Sequence, residues 1–457
     1  MRSEGAPGEP GFPTSNTQNI AKAEVSNMNY KQNEKIAQVT EKTLVIGVDI
    51  AKETHYARAF NYRGQEIHDG YRKVLKFTNS SGGFANLKDW IATLMDSYDM
   101  DQVLVAMEPT GHYWFNLRQY CRANDMKVVL VNPHHVKKTK ELDDNSPTKN
   151  DRKDPKTIAM LVISGRYSEP YFPEGIYADL REVMKAYERI NNGLITAKNR
   201  ILGWLDEYFP EFTDVFSDIE GKTAMKTLRE FPLPAKIIEL GAENVLVEWK
   251  EEIKRGIGIK RAQALFEAAR ESIGCLEGTE SAMMALGMLL DEYDLYKSQY
   301  DRTVAAIEAL LKKIPYADKM IRIKGLGILT TAGIIAEIGD ISRFEDAKQV
   351  IKYAGLNLVE NSSGKHKGRT RISKRGRRQL RSALFRAMMP LVSKNSEFRE
   401  LHHYYTCRND NPLRKKQSLI VLCCKLIRVL FAMITKGIEY NGEKLMNDVH
   451  RPMAVAA

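Results

Sequence analysis

Near Pro170 this chain of 457 residues changes its hydrophobic period, and that change limits the fold more than any other feature. Before it, short apolar runs of strand length alternate with amphipathic stretches. After it the strand pattern stops and helical periodicity takes over. Thr43-Leu-Val-Ile-Gly-Val-Asp-Ile50 is apolar and β-branched, as a strand buried on both faces should be. His55–Phe60 and Glu66–Val74 alternate about a turn at Gly64, the pattern of hairpin strands. Gln102–Met107 and Met126–Val131 read as further buried strands, and Phe84–Met95 as an amphipathic helix. Residues 41–170 are therefore expected to form an α/β domain with a mixed sheet.

The remainder reads as helix. Tyr177–Phe209 and most of Glu220–Ile314 carry the pattern, with breaks near Pro210 and at Pro232–Pro234. Leu286, Leu289, Tyr293, Tyr296, Tyr300, Thr303, Ile307, Leu310 and Ile314 alternate spacings of three and four over four heptads. Such a seam serves either a coiled coil used for self-association or a long helix packed inside its own domain. The expected divisions are a helical, coiled-coil region over 171–314, a mostly helical domain over 315–440 and a tail over 441–457. The third domain opens with Gly325-Leu-Gly327 between two apolar stretches, which resembles a helix-hairpin-helix; a plain helical turn needing positive φ fits the same residues. Leu419–Ile434 is apolar nearly all round and is read as core, Cys423 and Cys424 included.

Several classes are excluded. No run approaches the ~18–20 uninterrupted apolar residues that a membrane span needs, and the mean hydropathy is −0.40, so an integral membrane protein is not expected. The first 40 residues, rich in Pro, Gly, Ser and Asn, lack the apolar segment of a secretory signal and read as a disordered leader. Five cysteines (Cys121, Cys275, Cys407, Cys423 and Cys424) form no Cys-x-x-Cys pair, which argues for a reducing cytoplasm and against a disulfide framework or zinc ribbon. Lys and Arg total 69 against 58 Asp and Glu, a net charge of +11. Its placement says more than its sum. Lys365, Lys367, Arg369, Arg371, Lys374, Arg375, Arg377, Arg378 and Arg381 follow one another between Ser363 and Arg381 with no acidic residue among them. Nine cations so crowded repel one another unless a polyanion lies against them.

Four acidic residues carry the candidate chemistry. Asp49 closes the first apolar strand, Glu108 follows the end of a later one, and Asp151 and Asp154 stand three apart at a helix start. Ends of neighbouring strands lie close in space, and several carboxylates without thiolate or imidazole suit a pair of hard divalent ions. Asp154 before Pro155 also reads as an N-cap with proline at the first helical position. His112 and Tyr113 after Glu108 are read as orienting or packing residues, and His134 and His135 as loop histidines near phosphate.

Gly47-Val-Asp-Ile-Ala-Lys52, Glu108-Pro-Thr-Gly-His-Tyr113, Asn132-Pro133 and Lys149-Asn-Asp-Arg-Lys-Asp154 resemble the DEDD insertion-sequence transposases, which include the pilin-gene invertase. Tyr353-Ala-Gly-Leu-Asn-Leu358, Ser362-Ser-Gly364, Arg371-Ile-Ser-Lys-Arg-Gly376 and Leu380-Arg-Ser-Ala-Leu384 match that family's second signature, in the same order. The resemblance covers roughly residues 43–440. It implies an RNase H-like domain of the RuvC type, with Asp49, Glu108, Asp151 and Asp154 on the four metal-binding positions. It places Ser363, which directly precedes Gly364, on the catalytic serine, with Ser362 as its neighbour. It also implies Mg²⁺ or Mn²⁺ as cofactor, DNA element ends and target as substrates, a structured guide RNA, and a homo-oligomer whose half-sites meet across protomers.

The reading is therefore a transposase or site-specific recombinase that cleaves and rejoins DNA through a covalent phosphoserine. Its rivals are a metal-only junction resolvase or nuclease, in which the serine is incidental, and a non-catalytic nucleic-acid-binding scaffold, for which four placed acids have no use.

Overall fold

The computed structural model describes residues 32–143, 154–253, 256, 258–359, 362–363, 366–367 and 370–447. The chain divides into two compact units, 1–171 and 172–457. Residues 1–31 of the expected leader, Asp151, Lys365, Arg369 and the tail from residue 448 lie outside the described residues, whereas residues 32–37 of that leader are helical rather than disordered, with Gln32 and Lys35 donating to the carbonyls of Ser164 and Tyr167.

The first unit is built on a seven-stranded mixed sheet. Its elements are β1 (Thr43–Asp49), β2 (Thr54–Phe60), β3 (Glu66–Ile67), β4 (Leu75–Thr78), α1 (Ser81–Ser97), β5 (Gln102–Met107), α2 (Trp114–Ala123), β6 (Lys127–Val131), α3 (Pro133–Asp143), α4 (Asp154–Ile163) and β7 (Tyr167–Ser168). The order is β3-β2-β1-β5-β6-β7, with β4 also on β2. β1, β5 and β6 run parallel, while β2 and β7 run antiparallel to their neighbours. Leu44, Val45, Ile46 and Val48 of β1 are all buried, which is why that strand shows no polar alternation. The run expected over Glu66–Val74 is instead two short strands, β3 and β4, pairing with different parts of β2. Asp69 interrupts them by accepting the backbone N–H groups of Tyr71 and Arg72 in a side-chain turn.

Helices dominate the second unit: α5 (Gly175–Tyr208), α6 (Phe212–Val215), α7 (Lys222–Glu230), α8 (Pro234–Glu252), α9 (Ile259–Arg270), α10 (Thr279–Leu311), α11 (Ala317–Ile321), α12 (Ile328–Ile338), α13 (Ala347–Tyr353), α14 (Arg378–Lys394), α15 (Ser396–Cys407), α16 (Lys415–Lys436) and α17 (Gly442–Asn447). Between α13 and α14 lie four two-residue strands, β8 (Leu358–Val359), β9 (Ser362–Ser363), β10 (His366–Lys367) and β11 (Arg371–Ile372). The heptad seam on α10 packs along α5 of the same chain. The Tyr300 ring lies tilted against that of Tyr187 at 5.6 Å, and a side chain at Gly193 would strike the Tyr296 ring. One end of this helix pair enters a core around Trp204, Phe212 and Trp249, and the other a core around Ile335, Leu384 and Leu426.

Within the second core, Gly325 has φ +100° and runs against the backbone of Pro390 and Leu391, so close helix packing already accounts for this glycine. Buried Arg181 donates to the carbonyls of Ala336 and Glu337, two of the groups that the end of α12 leaves without intrahelical partners. Among the described residues, α16 alone has the length and apolarity to cross a membrane. Leu422, Cys423, Leu426 and Leu430 place it in the core, as expected from its composition.

Candidate active site

Strand register puts two of the four predicted acids side by side. Val48 pairs with Met107 in the parallel β1–β5 ladder, so Asp49 and Glu108 follow the last paired residues of adjacent strands. Such strands lie about 5 Å apart, at the carboxyl edge where open α/β sheets hold their ligands. Asp49 is itself paired with Tyr56 of β2, which fixes its backbone.

A glycine brings the third acid to the same edge. A Cβ on Gly47 would stand 1.8 Å from the carbonyl oxygen of Pro155, so the first turn of α4 rests directly on β1, two residues before Asp49. That turn begins with Asp154. Asp154 Oδ2 takes an ion pair from Lys140 Nζ of α3 at 2.5 Å, the carboxylate largely screened from solvent and the ammonium side chain partly exposed. Burial raises Glu108 above the ordinary carboxylate range; the negative charge of Asp154 adds to the rise and Lys140 opposes it. The three side chains thus form one electrostatic unit, in which two carboxylates share a single ammonium.

Asp151 lies outside the described residues. Among the described residues no group of three or more His, Cys, Asp or Glu side chains is gathered closely enough to hold a metal. The donor set nevertheless suits a hard divalent cation. It is all oxygen, one carboxylate is held above its normal range by burial and a like charge, and the neighbouring one already takes a cation from Lys140.

The other predicted residues are distributed as follows. The rings of His112 and Tyr113 lie in tilted contact at 4.4 Å ahead of α2. His134 and His135 are not in a loop: they occupy the exposed first turn of α3, where Asn132 Oδ1 accepts the His134 N–H. That helix begins beyond the end of β6, at the carboxyl edge shared with Asp49 and Glu108.

In the second unit Ser363 lies in β9, its Cα opposite His366, with Ser362 opposite Lys367. This hairpin continues a second one, in which Arg371 and Ile372 of β11 pair with Val359 and Leu358 of β8. Below the hairpins Ser373 donates to Asn357, Lys374 to Gly355 and Arg377 to Tyr353, all through backbone groups. The segments Tyr353–Leu358 and Arg371–Gly376 are therefore partners in one antiparallel arm. Gly355, at φ +70°, and Gly376 cross so closely that a Cβ on Gly376 would lie 2.5 Å from Gly355 N.

The nine-cation run is divided by its environment. Arg371, Lys374, Arg375 and Arg378 are exposed. Arg377 pairs with Glu337 at 2.9 Å, and Arg381 donates to the Ala354 carbonyl at 2.9 Å, so both also hold the arm to the helices beneath it. Sequence reasoning missed Lys140, which carries no motif, and the hairpin arm, whose strands are too short to show a period. Gly47 was legible as a glycine inside a buried strand.

Residues 46–210 match the DEDD transposase model of the IS110 group, and residues 317–403 match that of the IS116/IS110/IS902 transposases. A 43.6 kDa protein of insertion element IS110 from Streptomyces coelicolor is 22% identical to this chain, covering 87% of it and 95% of the relative. The pilin gene-inverting protein of Moraxella lacunata is 22% identical, over 87% of this chain and 97% of its own length. The transposase of insertion sequence element IS1111A from Coxiella burnetii is 22% identical, over 87% and 91%. The two matches, in the order of the two motif sets and together spanning more than half of the chain, make this protein a member of the IS110/IS116 transposase family, an enzyme that acts on DNA.

Proposed function

We propose that the protein cleaves and rejoins DNA strands by serine chemistry assisted by Mg²⁺, and so moves or inverts a DNA element. The observation that carries this reading is that Asp49, Glu108 and the Asp154 helix start meet at one edge of the mixed sheet, the arrangement expected of an RNase H-like domain of the RuvC type. Asp49, Glu108, Asp151 and Asp154 would hold the ion. Bound there, Mg²⁺ would neutralise charge that develops on the phosphoryl and leaving oxygens, and Mn²⁺ can substitute. Ser363 Oγ attacks phosphorus and gives up its proton. A phosphoserine ester forms as the bond from phosphorus to the leaving sugar oxygen breaks, and that oxygen takes up a proton. Attack by a new strand end reverses the step and reseals the DNA without an external energy source.

The exposed cations Arg371, Lys374, Arg375 and Arg378, with Lys365, Lys367 and Arg369, which follow Ser363 in sequence, bind phosphates of DNA and of a structured guide RNA. Copies of the chain associate as a dimer or tetramer, since recombination cuts several strands together. Met284, Met288 and Leu295 lie exposed on α10 and offer an apolar stripe for that contact.

The test is a denaturing gel with labelled element ends, flanking element RNA and Mg²⁺. Wild-type protein is expected to remain covalently attached to DNA, Ser362→Ala to keep the adduct, and Ser363→Ala and Asp49→Ala to lose it. Free cut ends that persist in Ser363→Ala would replace this reading with a hydrolytic nuclease.

A further inference from the structure

The exposed loop Ala51–Glu53, which carries the chain away from Asp49, is held from beneath by two residues of neighbouring segments. Ala51 N–H donates to His55 Nδ1 at 3.2 Å, and Asn79 Nδ2 donates to the Lys52 carbonyl at 3.1 Å. The Asn79 backbone N–H donates to the Glu53 carbonyl at 2.8 Å. Three consecutive loop residues are thus each tied once.

His55 has no solvent exposure. Its ring meets the edge of Phe77 at 5.2 Å and lies nearly parallel to Phe84 at 6.2 Å. A phenylalanine would satisfy such a pocket, so burying an imidazole there calls for a polar reason. Because Nδ1 accepts, the proton of the neutral ring sits on Nε2. That nitrogen and Asn79 Oδ1 are both buried and have no other partner, and the Asn79 side chain acts on the imidazole, so the two residues that hold the loop are also coupled to each other. The polar work His55 performs on the loop itself is acceptance from Ala51. Asp49 is paired to Tyr56 and Ile50 is buried, so the backbone leaves the sheet just before the tied loop.

We propose that His55 and Asn79 are positioning residues for Asp49, fixing the backbone that leaves it and thereby the direction in which its carboxylate meets a divalent ion. The proposal rests on the metal-dependent reading above. A ligand carboxylate must be held to within about 0.5 Å, and the groups that orient it matter nearly as much as the ligand.

Mn²⁺ binding to the full-length protein, followed by calorimetry and by the electron paramagnetic resonance of the ion, tests this without reference to turnover. Amide exchange at Ala51 is measured in the same samples without metal. His55→Phe keeps the ring packing and removes the acceptor; His55→Gln restores an acceptor; Asn79→Ala, at a half-buried position, serves if the His55 variants fail to fold. His55→Phe and Asn79→Ala are expected to weaken Mn²⁺ binding by about two- to tenfold, the loss of one hydrogen bond. Faster Ala51 exchange in His55→Phe and partial recovery in His55→Gln are expected with it. Wild-type affinity in a folded His55→Phe or Asn79→Ala protein would overturn the positioning role alone. Wild-type protein that binds no Mn²⁺, with Asp49→Asn indistinguishable from it, would overturn the metal reading and the positioning role together.

Discussion

Burial makes the charge of Glu108 costly, the neighbouring charge of Asp154 adds to that cost, and Lys140 supplies a single positive charge between them. A divalent ion entering there competes with the ammonium for Asp154. Replacing Lys140 by methionine keeps most of the unbranched side chain and removes the competitor. At pH 8, where the carboxylates are ionised, Lys140→Met is expected to tighten Mn²⁺ binding by about fivefold, the worth of roughly 1 kcal/mol for a partly exposed pair. Direct titration of the ion reads this; unchanged or weaker binding would show that Lys140 supports the site rather than competes for it. His55 contributes in another currency, the pH dependence of stability. Burial lowers its pKa from the ordinary value near 6.5, although the Asn79 side chain partly opposes the shift. Below pH 6.5 the unfolded chain therefore binds a proton that the folded ring refuses, and stability falls as pH falls through that window. Urea melts between pH 7.5 and 5 are expected to show a steeper loss for wild type than for His55→Phe, which has no proton to take up.

At the scale of elements, the carboxylate edge depends on how closely α4 can lie on β1, and Gly47 sets that distance. Gly47→Val would push a branched side chain into the Pro155 carbonyl. It is expected to cost about 1–3 kcal/mol in chemical denaturation, in line with overpacking elsewhere, and to abolish strand cleavage by lifting Asp154 from Asp49. The parallel strands were legible because each is a continuous apolar run, and their ends named Asp49 and Glu108 as neighbours before any pairing was known. The placement of Asp154 was not legible, because it comes from helix-on-strand packing between residues 108 positions apart. The arm bearing Ser363 escaped for a different reason. Two-residue strands have no periodicity, and the backbone bonds from Ser373, Lys374 and Arg377 that hold the arm join two motif segments whose sequences carry no sign of pairing. The heptad seam was legible as a seam, yet its partner was not: Tyr296 beside Gly193 and Tyr300 beside Tyr187 are contacts with α5, which no count of spacings reveals.

For the molecule as a whole, net charge fits a polyanion partner but identifies neither that partner nor the cations that would meet it. Their surroundings separate them. Arg377 is tied to Glu337 and Arg381 to the Ala354 carbonyl, so both contribute to the fold of the arm, whereas Arg371, Lys374, Arg375 and Arg378 stand in solvent. An exposed cation that neutralises a DNA phosphate releases a condensed counterion, and each phosphate so neutralised steepens the salt dependence of binding by about 0.9 in log–log slope. Replacing the four exposed cations by glutamine is therefore expected to flatten that slope by up to about 0.9 for each phosphate left without its cation, with little change in melting temperature. Arg381→Gln is expected to lower the melting temperature, because the Ala354 carbonyl is deprived of its donor, and to change the slope less than the exposed set does. Fluorescence anisotropy of duplex DNA across a series of salt concentrations, alongside thermal melts of the same proteins, measures both quantities. Equal effects of the two sets on slope would mean that the arm opens to bind, because cations engaged in the free protein would then have to be released to phosphate when DNA arrives.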